Sequence, residues 1–177
     1  MEVVNEILIP ALDSAGKLFE QGKIFLPQLI QTASVAQAAF EVIKTTLIER
    51  NAAPVSRGEI VLATVKGDIH DIGKNIVRVL LENYGYTVLD LGRDVPCQLV
   101  ADTAKEHGVK LVGLSALMTT TLGAMEETIQ LVKQSCPDCK IVVGGAVLTA
   151  DYAEKIGADF YAKDAMETVA VAKEVVG

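Results

Sequence analysis

The stretch of this chain best equipped for chemistry is Lys66-Gly67-Asp68-Ile69-His70-Asp71-Ile72-Gly73, which packs two glycines, two carboxylates and one of the two histidines into eight residues. The order Asp-x-His suits a metal ligand. An imidazole that binds a metal through one nitrogen usually gives its other N–H to a carboxylate, which fixes the tautomer and raises its basicity. Plainer readings of the same residues are a solvated or helix-capping histidine, Asp68 as the N-cap of a following helix, and Gly73 as a point of close helix–sheet packing. Two other stretches carry polar or permissive residues. Ser115-Ala116-Leu117-Met118-Thr119-Thr120-Thr121-Leu122 is rich in hydroxyls, and Val143-Gly144-Gly145-Ala146 has paired glycines that let a ligand approach the backbone.

These loops need a scaffold, and the apolar pattern supplies one. Short apolar runs at Ile60–Val65, Thr87–Leu91, Lys110–Ser115, Ile141–Val143 and Asp159–Ala162 alternate with helical patterns near 74–84, 97–107, 122–135, 149–156 and 165–175. Strands apolar throughout are buried on both faces. Five strand–helix units predict an α/β fold: a flavodoxin-like (Rossmann-like) five-stranded parallel sheet with helices on both faces. Right-handed crossovers place every strand-to-helix loop on one rim. In this order the first, third and fourth strands are neighbours, so the three polar loops converge. The loop after the second strand, Gly92-Arg93-Asp94-Val95-Pro96, is expected at the edge.

Ahead of the sheet, Leu8, Leu12, Ala15 and Phe19 form one helical stripe, with Pro10 either kinking the helix or sitting in its first turn, and Gly22 ending it. A second helix is predicted from Pro27, carrying Leu29, Ala33, Ala36, Phe40, Ile43 and Leu47. The pair reads as a small helical cap, a partial helix bundle whose stripes must face the rest of the protein, a partner or another copy. Residues 1–52 are assigned to this cap, 53–58 to a linker, and 59–177 to the α/β domain. On residue pattern alone, Phe19 and Leu26 are core.

Across 177 residues, half are hydrophobic and the net charge is −7, which argues against nucleic acid or an anionic membrane surface as partner. No run reaches the ~18 apolar residues of a membrane span. Cys97, Cys136 and Cys139 form a sparse, odd set, as in a reducing cytoplasm, where we expect the protein. Cys136 and Cys139 supply only half a zinc site and are expected at the surface. His107, before Gly108, reads as a cation at a helix C-terminus.

Asp68-x-His70-x-x-Gly73, Ser115-x-Leu117 and Gly144-Gly145 together resemble the cobalamin-binding signature. The run Thr64 to Asn75 looks like that of cobalamin-dependent methionine synthase and of corrinoid methyltransferase proteins, and Phe19-Glu20-x-Gly22-Lys23-x-Phe25-Leu26-Pro27 is similar to their helical-cap motif. The resemblance implies that His70 displaces the cofactor's benzimidazole and ligates cobalt, with Asp68 on its other nitrogen. Thr121 stands where methionine synthases carry the serine that completes this relay. The nucleotide tail would lie beside Gly73, Ser115, Leu117, Gly144 and Gly145, with Gly67, Asp71, Ile72 and Thr119 also at the cofactor. Phe19 and Leu26 would cover the upper corrin face.

The implied function is a methyl carrier, cycling between Co(I) and methyl-Co(III) and not catalytic alone, with homocysteine or tetrahydrofolate the leading acceptors. Its partners would be methyl-donor and methyl-acceptor methyltransferases and a reductive activase. The family's cap usually has four helices and only two are recognisable here, which suggests a homo-oligomer or a partner that completes it. An adenosylcobalamin mutase subunit would lack this cap, and a cobalamin sensor would carry an effector segment.

Overall fold

The computed structural model describes residues 4–49 and 56–177, so the expected linker lies partly outside the described residues. A π-helical turn, Val4–Leu8, leads into α1, Ile9–Glu20, with Pro10 in its first turn, where a missing N–H costs nothing. α1 stops at Gly22, which takes φ +68° in the turn. α2, Leu26–Glu49, starts one residue before the predicted proline, and the side-chain oxygen of Gln28 accepts the Phe25 N–H at 2.8 Å to close its first turn.

Five parallel strands follow: β1 Glu59–Thr64, β2 Thr87–Asp90, β3 Leu111–Ser115, β4 Lys140–Gly144 and β5 Phe160–Ala162. Their order is β2-β1-β3-β4-β5, the predicted flavodoxin-like one. Ile60 pairs with Val88 on one side and Leu111 on the other, and Val143 pairs with Tyr161. The crossovers are α3 Ile72–Asn83, α4 Cys97–His107, α5 Leu122–Ser135 and α6 Ala150–Lys155, and α7 Ala165–Val175 follows β5.

Alternation along the strands divides the core in two. Val61, Ala63, Val112, Leu114, Ile141 and Val143 face α4, α5 and α6. Ile60, Leu62, Leu111 and Val142 face α3 and α7. The cap stripe joins this second layer: Leu12, Ala15, Leu29, Ala33 and Ala36 are buried in the same cluster as Leu80, Leu81, Tyr84, Val169 and Ala172. The side chains of Phe40 and Leu47 lie outside the described residues. Burial of Leu12 and Leu29 contributes about 2 kcal/mol each. Lys173 of α7 ion-pairs with Asp13 of α1 and stands 4.5 Å above the Tyr84 ring.

Cys139 corrects the surface expectation. It is buried in the first core layer, burial pushes its thiol up to about 12, and Cys136 beside it is half-buried. His107 does close α4, ahead of the left-handed Gly108, and its Nδ1 lies 3.0 Å from Glu59. Among the described residues, no helix is long and apolar enough to cross a membrane.

Candidate functional site

β1 ends at Thr64, and the chain turns through Gly67 at φ +85° to bring Asp68 back beneath the strand tips. The Asp68 N–H donates to the Val65 carbonyl at 3.1 Å, and the Asp68 carboxylate is completely buried. Oδ1 accepts the backbone N–H of His70 at 3.0 Å, a local turn that Asp forms readily two residues ahead of itself. Oδ1 also lies 2.8 Å from His70 Nδ1. Oδ2 accepts the N–H groups of Leu117 at 2.6 Å and Met118 at 3.1 Å, tying the β3 loop to the β1 loop. The plainer reading is thereby corrected: the N-cap position of α3 belongs to Asp71, and Asp68 spends its oxygens elsewhere.

Burial works to raise the Asp68 carboxyl, but the N–H donors of His70, Leu117 and Met118 outweigh it and hold the group at about 2. An ionised carboxylate only accepts hydrogen bonds. Nδ1 of His70 therefore carries the hydrogen, and of the two ring nitrogens Nε2 is the one left to offer a lone pair. The His70 side chain is 48% exposed, so that lone pair is accessible. The Thr64 hydroxyl donates to the His70 carbonyl at 3.2 Å and anchors the backbone of the histidine itself.

Thr121 is buried beside this pair, but its hydroxyl has one hydrogen and two acceptors. Met118 O lies at 2.8 Å and Asp68 Oδ2 at 3.3 Å, so the shorter bond goes to the carbonyl. Around His70, Ile69, Ile72, Leu117 and Met118 leave large apolar side chains exposed. Asp71 and Thr119 stand on this rim, at the N-cap of α3 and at the start of the 3-10 turn Thr119–Thr121.

A second feature lies beside the first. A cavity of about 490 Å³ is floored by Leu62, Gly113, Ser115, Val142 and Gly144, walled by α3 and the β5–α7 connection, and closed by Phe19, Leu26 and Leu29. Gly73 and Gly145 also line it, whereas His70 stands outside it. A Cβ at Gly73 would meet nothing within 4 Å, so close packing does not explain that glycine. Gly145 is different: its φ is +138°, and a Cβ there would lie 1.9 Å from the Ala116 carbonyl oxygen.

Sequence reading missed three contributors. Gly113 keeps the cavity floor open in mid-strand, Thr64 anchors His70, and Asp94 accepts the Gly67 N–H at 2.7 Å. The loop after β2 thus reaches the site although β2 is an edge strand. Thr64 and Gly113 sit in ordinary strand runs, and only Asp94, in a polar loop at a strand end, carried a usable signal.

Residues 58–170 match a B12 binding domain family, and residues 1–44 match a second B12 binding domain family. The chain belongs to the cobalamin-binding proteins. It is 43% identical to dimethylamine corrinoid protein 1 of Methanosarcina acetivorans, over 99% of this chain and 83% of that protein. It is 39% identical to trimethylamine corrinoid protein 1 of Methanosarcina mazei, over 98% of this chain and 81% of that protein. Among solved structures, a cobalamin-binding protein from Desulfitobacterium hafniense matches at 34% identity and TM-score 0.77, covering 99% of this chain and 90% of that one. The methanol:cobalamin methyltransferase complex of Methanosarcina barkeri matches at 30% identity and TM-score 0.84, covering 99% of this chain and 67% of that one.

The geometry fits a cobalamin. Among the described residues, no three His, Cys, Asp or Glu side chains gather to hold a bare ion. A metal at His70 must therefore bring its other ligands, as a corrin does. The glycine-lined cavity next to the histidine offers room for a bulky appendage of the same cofactor.

Proposed function

We propose that this chain is the methyl carrier of a corrinoid-dependent methyltransferase system, in which His70 Nε2 would be the protein's ligand to cobalt. The observation that carries the reading is the 2.8 Å contact between His70 Nδ1 and a buried, ionised Asp68, which leaves one free imidazole lone pair on an apolar rim. When bound, the corrinoid supplies a cobalt that accepts a methyl group and gives it up. Asp68 keeps the ring oriented and strengthens it as a donor. Asp68 would keep Nδ1 engaged whether or not Nε2 holds the metal.

Thr121 acts on this pair through the loop. Its hydroxyl ties down Met118, whose N–H holds Asp68. Gly73, Ser115, Gly144 and Gly145 border the space for the displaced nucleotide tail, with Gly67, Asp71, Ile72, Leu117 and Thr119 on the rim above it. Phe19 and Leu26 of the helical cap line this same cavity, so in this structure they border the space read for the tail rather than the upper corrin face that the resemblance implies.

The methyl donor in this reading is a methylated amine, delivered by a separate methyltransferase. The names of the dimethylamine and trimethylamine corrinoid relatives support it, and nothing among them supports homocysteine or tetrahydrofolate as acceptor. A reductive activase is a further partner. We place the carrier in the cytoplasm and divide it into cap 1–52, linker 53–58 and cobalamin domain 59–177. Ile7 and Val35 of the helical cap are exposed apolar side chains that a partner or a second copy would cover in this reading.

The test is an absorption spectrum after loading with methylcobalamin and desalting, beside His70→Ala. Retained corrin absorbance whose lower-ligand bands change in the variant is the expected result. Identical spectra from both proteins would contradict the ligand assignment, and dimethylamine-dependent methylation of the demethylated carrier in a cell extract would test the donor.

A further inference from the structure

We propose that Asp94 is a positioning residue for the cobalt ligand, acting through the Gly67–Asp68 turn. This rests on the assignment of His70 above. Asp94 has φ +53°, a left-handed conformation uncommon outside glycine. Its side chain is used: Oδ1 accepts the Gly67 N–H at 2.7 Å, while the Asp94 N–H donates to the Asp68 carbonyl at 2.9 Å. One residue therefore grips the peptide groups on both sides of Gly67 and Asp68, and Asp68 in turn fixes the His70 ring.

The grip comes from a firm base. The next residue, Val95, is buried, bridges Val65 in parallel register, and donates its N–H to the Thr64 carbonyl at 3.1 Å. From the other side, the Thr121 Cγ2 methyl would lie 3.3 Å from a Cβ placed on Gly67. The turn is thus seated between a threonine methyl and an aspartate carboxylate. Asp94 itself is exposed, so core packing does not explain it. A charged acceptor makes a shorter, stronger bond than a neutral one, and a metal ligand needs its supporting shell held tightly.

Two substitutions separate the carboxylate's bond from the backbone conformation. Asp94→Asn keeps an acceptor oxygen and tolerates positive φ, whereas Asp94→Gly keeps the conformation without the acceptor. In cofactor-free protein, amide exchange at Gly67 should rise about tenfold or more in Asp94→Gly and far less in Asp94→Asn. In cobalamin-loaded protein reduced to Co(II), the histidine nitrogen splitting of the electron paramagnetic resonance spectrum should weaken in Asp94→Gly and persist in Asp94→Asn. Unchanged exchange and splitting in Asp94→Gly would overturn the proposal, as would equal losses in both variants. Absence of the splitting in the unmodified protein would instead overturn the His70 assignment on which it rests.

Discussion

Four N–H groups converge on the Asp68 carboxylate: the His70 backbone and ring, Leu117 and Met118. Asp68→Ala should strip all four of their acceptor and cost about 3 kcal/mol in chemical denaturation, because buried donors lose a charged partner. The same bonds make stability depend on acidity. The folded-state value of about 2 lies below the ordinary 3.8, so the contribution is fully present above 3.8 and is lost as pH falls through 2. Its size is about 2 kcal/mol, and a denaturation series from about pH 5 to about pH 2 should show a fall that Asp68→Asn lacks. At this scale Asp68 and His70 were legible because their order in sequence is their order in space. Thr64 was not, since it sits inside an apolar strand run, and Asp94 showed only as a polar residue at a strand end, its bond to Gly67 being made by the fold.

Among the elements, two cavity glycines make opposite predictions. Gly145→Ala puts a Cβ 1.9 Å from the Ala116 carbonyl oxygen at φ +138°, and should destabilise the fold by about 3 kcal/mol. Gly73→Val meets no neighbour at Cβ and should leave stability within about 0.5 kcal/mol while filling the cavity and weakening cofactor retention. Calorimetry beside a corrin-retention assay separates the two. α3 and β2 are joined by the buried Lys74, whose Nζ lies 2.5 Å from Asp90, itself 3.1 Å from Arg78. Asp90→Ala leaves that ammonium buried without its carboxylate and should cost about 4 kcal/mol, whereas Lys74→Met should cost about 1 kcal/mol or less in the same denaturation assay. Strand and helix bounds were readable to within two residues because buried strands and amphipathic helices print different periods. The buried side chain of Cys139 was not, because a Cys-x-x-Cys spacing says nothing about which residue enters the sheet's core layer.

Taken whole, the molecule is three layers, with the helical cap laid over α3 and α7 and the cavity between them. Gly16 of α1 faces α7, where a Cβ would lie 2.5 Å from the Met166 methyl, the end of a flexible side chain that can swing aside, so Gly16→Ala should cost about 1 kcal/mol or less and leave hydrogen exchange in α1 close to its original rate. The layers were legible in the sequence, but the docking of the cap was not, since an apolar stripe does not name what covers it. The central claim remains that His70 holds cobalt. The most direct measurement is the electron paramagnetic resonance spectrum of the cobalamin-loaded protein in the Co(II) state, prepared with ordinary histidine and with histidine carrying the heavier nitrogen isotope. The account predicts a nitrogen splitting that changes from triplets to doublets on labelling and disappears in His70→Gly. A splitting that ignores the label, or survives in His70→Gly, would contradict it.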